Sequence, residues 1–128
     1  AIPFVVFTDP EIAWCGLTEN EAKEQGLHYE EASLRCGASG RAIAMGTSVG
    51  VTKLVVEANT ERVLGVGIAG KEAGELISEG VLAVEMAAQV RDLSLTVHPH
   101  PTLSETVMEA AEAFYGHSTH IYRPRKKG

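Results

Sequence analysis

The chain has 128 residues, 45% of them apolar, a formal net charge of −6 and two cysteines. That length allows one domain with a core, and no stretch approaches the run of about eighteen apolar residues that crosses a bilayer as a helix. The acidic balance argues against nucleic acid as the main partner, because neutralising phosphates takes an excess of Lys and Arg; it suits a basic protein partner or simple solubility.

The opening "AIPFVVF" is β-rich and lacks both an initiator Met and a secretory pattern, so it reads as an interior cut in something longer. A turn is expected at Asp9-Pro10, then a short strand over residues 12–17. Thr18 and Glu21 form a T-x-x-E capping box that opens a short helix, and Gly26 stops it. Residues 27–35 carry a weaker strand pattern. The small, glycine-flanked "GASGRAIAMG" at 37–46 suggests a loop with one helical turn. The clearest β signal is "VGVTKLVVE" at 49–57 and "RVLGVGIAG" at 62–70, joined by "ANTE" as a hairpin. Gly65, Gly67 and Gly70 point to close packing or a bulge in its second strand.

From residue 72 to 88 the period becomes helical. Ala73, Leu76, Ile77, Val81, Val84 and Ala88 share one stripe, and Glu72, Glu75, Glu79 and Glu85 stay off it. "VRDLSLTV" adds a further turn. Leu103, Val107, Ala110, Ala111 and Phe114 make a second stripe, ending near Gly116. Strands first and helices afterwards predict an α+β fold, an antiparallel β-sheet with helices packed on one face. One domain is expected over residues 1–116. The basic tail, residues 117–128, is expected to fray.

Cys15 and Cys36 form neither a redox pair nor a zinc spacing. Each is expected to be a small buried residue, and a reducing compartment, the cytoplasm, is the expected location.

The segment that carries chemistry is "TVHPHPTLSE", residues 96–105. In a purely structural account, Thr102 and Glu105 are a capping box: Thr102 accepts from the backbone of residue 105 and Glu105 reaches back to Thr102. The histidines are then plain loop residues. In a catalytic account the same helix start fixes Glu105, and Pro99 and Pro101 stiffen the backbone around His100. Glu105 then accepts from one imidazole nitrogen and leaves the other as a base. Such a carboxylate fixes the tautomer and favours the protonated ring, a base-and-orienter pair worth roughly 10²–10⁴-fold in rate. A metal reading of His98, His100 and Glu105 lacks a third strong ligand cluster. A base still needs an electrophile, and the chain has no dinucleotide fingerprint, since "GVGIAG" is wrongly spaced, and no G-x-S-x-G elbow.

"HPHPTLSE" resembles the C-terminal signature of the pyridine nucleotide–disulfide oxidoreductase family. "FTDPEIAWCGLTENEAKEQG", "ASGRAIAMG", "TERVLGVGIAG" and "AGELISEGVLAVEM" agree with it in order and spacing, up to about Tyr115. The resemblance implies the interface domain of a homodimeric flavoenzyme whose FAD-binding, NAD-binding and redox-disulfide segments lie outside this chain, so that no cofactor is expected in it. It also implies that His100, oriented by Glu105, takes a proton from the substrate dithiol at the other subunit's site, with His100 and Pro101 facing that subunit's flavin and the bond between them cis.

Leu103-Ser104-Glu105 and the presence of His100 favour the branch that oxidises dihydrolipoamide over glutathione and mercuric reductase relatives. That branch docks on the subunit-binding domain of a 2-oxo acid dehydrogenase complex. His98 also occurs in it and is given a secondary place. The competing reading is a non-catalytic, stand-alone dimer or binding module. His28, His117 and His120 are expected at the surface, and Trp14, Tyr115 and Tyr122 as packing groups.

Overall fold

A computed structural model of the protein describes residues 1–35 and 50–116. Cys36, the 37–46 segment and the 117–128 tail lie outside the described residues. Five strands form one antiparallel sheet: β1 (Phe4–Val6), β2 (Ile12–Gly16), β3 (Tyr29–Arg35), β4 (Val51–Glu57) and β5 (Val63–Ala69). Their spatial order is β1-β2-β5-β4-β3. The four helices are α1 (Glu19–Glu24), α2 (Ala73–Glu85), α3 (Val90–Leu95) and α4 (Glu105–Phe114). The α+β reading holds.

The two-residue period of the strands sorts the sheet into faces. Ala13, Cys15, Ala32, Leu34, Thr52, Leu54, Val56, Val66 and Ile68 fall on one face and are all buried. Helix α2 covers it along β2 and β5, and α4 covers it along β3 and β4. On the other face lie Trp14, Lys53 and Gly67, which are register partners of one another or of a common neighbour. Phe4 stacks on Trp14 there, with ring centroids 4.3 Å apart. Helix α1 borders this second face, where its Glu19 accepts from Lys53 Nζ at 2.8 Å.

The expected hairpin forms from β4 and β5, and the register slips between Val55 and Val56. The glycines mark close approaches. Gly65 lies against the Leu17 backbone, and Gly16, at φ +72°, lies against the Leu64 backbone. The Leu17 amide donates to the Leu64 carbonyl at 2.9 Å. A side chain at either glycine would meet main chain, which cannot move aside.

Helix α1 begins as its sequence says: Thr18 accepts from the Glu21 amide and Glu21 accepts from the Thr18 amide, both at 3.1 Å. Gly26 follows its end at φ +70°. The α2 stripe is rotated relative to the pattern expected from large apolar residues. Ala73, Ile77, Gly80 and Ala83 are its buried positions, while Leu76, Val81 and Val84 pack at the margin. The reason is Gly80: a Cβ built there lies 2.9 Å from Val66 Cβ, so the helix rests on the sheet through its smallest residue. The core is closed by α4, whose Thr106 hydroxyl accepts from Thr52 on β4 at 3.0 Å and donates to the Leu103 carbonyl at 2.8 Å.

Candidate functional site

The loop from Thr96 to Thr102 joins α3 to the turn before α4, and its two threonine hydroxyls and both histidine rings have hydrogen-bond partners. Thr96 caps α3, its hydroxyl donating to the Asp92 carbonyl at 2.6 Å. The Thr102 hydroxyl donates to the Pro99 carbonyl at 2.6 Å and meets the Ser104 hydroxyl at 2.9 Å. The His100–Pro101 peptide is cis, as is Asp9–Pro10.

His100 and Glu105 are brought together. Nδ1 of His100 lies 2.8 and 2.9 Å from the two carboxylate oxygens. Glu105 is almost fully enclosed, its side chain 5% accessible, whereas the His100 ring is 67% accessible. The carboxylate is placed to accept from Nδ1–H, the tautomer in which Nε2 carries no proton.

Half of the expected capping box survives beside this pair. Glu105 Oε1 also accepts from the Thr102 amide at 3.0 Å. The other half is corrected: the Thr102 hydroxyl is committed to Pro99, the Glu105 amide goes to the Thr102 carbonyl at 3.4 Å, and the N-cap of α4 is Ser104, without a side-chain cap bond. One glutamate thus starts the helix and holds the ring, because its two oxygens offer more than one acceptor site.

One turn further along α4, Glu109 is buried and hydrogen-bonds to Glu105. Burial first, then the charges of Glu105 and Glu112, push its carboxyl up to about 7, against a lowering influence from His100. Sequence reasoning did not single it out. Its i+4 spacing from Glu105 was the available signal, since that spacing puts both on one helix face.

His98 does not join His100. Its ring turns back to α2, with Nε2 2.6 Å from Glu79 Oε2 and Nδ1 2.8 Å from the Thr96 carbonyl. That takes apart the metal reading of His98, His100 and Glu105; among the described residues, no group of three His, Cys, Asp or Glu could hold a metal ion. Cys15 is buried, and burial raises its thiol pKa. Tyr115 packs against Phe114 edge-on at 5.2 Å and donates to Glu61 at 2.7 Å. His28 is exposed.

A family model for the pyridine nucleotide-disulphide oxidoreductase dimerisation domain matches residues 2–111. The chain belongs to this family. Among curated members, dihydrolipoyl dehydrogenase of Haemophilus influenzae is 48% identical over 126 residues, covering 98% of this chain and 26% of that protein. Dihydrolipoyl dehydrogenase of Thermus scotoductus is 51% identical over 120 residues, covering 94% and 26%. The chain therefore spans about a quarter of the length of these relatives. Solved structures of the family agree. LpdA from Mycobacterium tuberculosis superposes with a TM-score of 0.82 at 28% identity, over 88% of this chain and 24% of that one. The flavoprotein disulfide reductase RclA from Escherichia coli gives 0.82 at 27%, over 88% and 25%.

No helix among the described residues is long and apolar enough to cross a membrane. The described sheet is antiparallel throughout. It contains no βαβ unit with the glycine-rich turn that seats a dinucleotide pyrophosphate on a helix N-terminus.

Proposed function

We propose that this chain is the dimerisation domain of a dihydrolipoyl dehydrogenase and lends an imidazole base to the reaction centre of a second subunit. The observation that carries the proposal is the His100–Glu105 pair, an exposed ring on a buried carboxylate. The resemblance of "HPHPTLSE" and the names of the relatives at 48% and 51% identity support the choice of substrate.

Nε2 of His100 accepts a proton from one thiol of dihydrolipoamide and leaves a thiolate, the form that attacks a disulfide. The ring becomes an imidazolium with both nitrogens donating, and Glu105 stabilises that charge from behind while holding the ring plane. Glu105 meets this demand without moving, because the Thr102 amide already fixes its other contact. FAD and NAD, bound by other parts of the polypeptide, supply the electron-accepting chemistry. Pro101 sets the backbone next to the ring on the side presented to the flavin.

The functional unit is a homodimer, located in the cytoplasm. The net charge of −6 suits docking on a basic subunit-binding domain of a 2-oxo acid dehydrogenase complex. The test is His100→Gln in the full-length enzyme. It should lower kcat for dihydrolipoamide oxidation by at least about 10²-fold while dimer and flavin content stay normal. Turnover near the wild-type value would remove His100 from the mechanism.

A further inference from the structure

The proposal concerns the neighbouring histidine, and it rests on the function just given. We infer that His98 is the positioning residue of the site: clamped between the Thr96 carbonyl and the Glu79 carboxylate, it fastens the loop that carries His100 to helix α2.

The contacts define the clamp chemically. Nδ1 of His98 is 2.8 Å from a carbonyl oxygen and Nε2 is 2.6 Å from a carboxylate oxygen. A carbonyl only accepts, and so does an ionised carboxylate. A neutral imidazole has one N–H and satisfies one of the two. Both bonds exist together only while the His98–Glu79 pair holds one more proton than a neutral ring beside a carboxylate. Without that proton a ring lone pair faces an oxygen lone pair at one of the two contacts, whichever tautomer is chosen.

The ring is suited to this use and unsuited to direct chemistry. Its side chain is 6% accessible, against 67% for His100 two residues on. The clamp is also anchored at its far end, because Thr96 is itself fixed to α3 through its amide and hydroxyl on the Asp92 carbonyl, at 3.2 and 2.6 Å. Glu79 comes from α2, Asp92 of α3 meets the loop through its carbonyl, and Glu105 of α4 holds His100. The His100 ring is thus aimed from two sides, by Glu105 at its own Nδ1 and by His98 through the stiff backbone of Pro99.

The test uses the full-length enzyme with Glu79→Leu, Glu79→Gln, His98→Leu and His100→Gln. Glu79→Leu breaks the clamp from a partly exposed helix position and so keeps the test open if His98→Leu does not fold. It should lower kcat roughly 10- to 100-fold, the cost of misplacing a reacting group by about an ångström, with KM and flavin content little changed. Glu79→Gln should restore most of that loss, because its amide donates to Nε2 of a neutral ring.

Equal losses in Glu79→Leu and Glu79→Gln, or a Glu79→Leu enzyme within about twofold of wild type in kcat, would overturn the clamp while a crippled His100→Gln still upheld the base. A normal His100→Gln enzyme would overturn both.

Discussion

Two histidines two positions apart are used in opposite ways, and the difference lies in the carboxylate each one meets. His100 spends one nitrogen on Glu105, whereas His98 spends both. The first pairing was legible in the sequence, since Glu105 stands five positions after His100 and a helix start fixes the acid. The second was not. Glu79 lies 19 residues away on another helix, and only tertiary packing brings it to the ring.

Glu109 allows a prediction at this scale. Its folded-state pKa of about 7 lies above the value of about 4.3 for an unfolded glutamate. The folded chain therefore binds more protons between those values. The stabilising contribution is full below the lower value, declines as pH rises through the window and is exhausted above pH 7. Glu109→Gln should abolish that decline. Urea unfolding followed through Trp14 should show the variant gaining on the wild type between pH 4.5 and 8, by on the order of 3 kcal/mol. A gap that stays constant with pH would mean that Glu109 is ionised throughout.

Among the elements, α1 and the β4–β5 hairpin follow their local signals, a complete capping box in one case and alternation in the other. Helix α2 does not, and Gly80 explains why. A pattern search weights large apolar residues, but here the contact with the sheet is made by a residue with no side chain, lying where a Cβ would stand 2.9 Å from Val66. Gly80→Ala would gain about 1 kcal/mol in helix propensity and lose about 1–3 kcal/mol to overpacking. A lower urea midpoint is therefore expected, and a raised one would show that the helix shifts freely.

The join between α4 and the sheet makes a second case. Thr106→Val removes the acceptor of a buried Thr52 hydroxyl and should cost about 1–3 kcal/mol. Thr52→Val removes the donor instead and should cost less, because Thr106 keeps its bond to Leu103. The same unfolding assay ranks the two.

For the molecule as a whole, the run of strands followed by helices announced the α+β class, because an antiparallel sheet can be built from neighbours in sequence. The strand order was not legible. β5 enters between β2 and β4, and what admits it is the mutual fit of Gly16 and Gly65, a contact between residues 49 positions apart. The electron-accepting half of the proposed reaction is also beyond what these elements build. Purified as 128 residues, the chain should show no NAD-dependent oxidation of dihydrolipoamide. A yellow, active preparation of it would refute the division of labour between this domain and the remainder of the polypeptide.

The face of the sheet away from α2 and α4 carries Lys53 at its middle, 2.8 Å from Glu19 and 3.5 Å from Glu31. Stacking another greasy sheet there would strip hydration from an ammonium and two carboxylates at once, at several kcal/mol per ion. A surface that settles on that side is therefore favoured when it brings polar counterparts of its own.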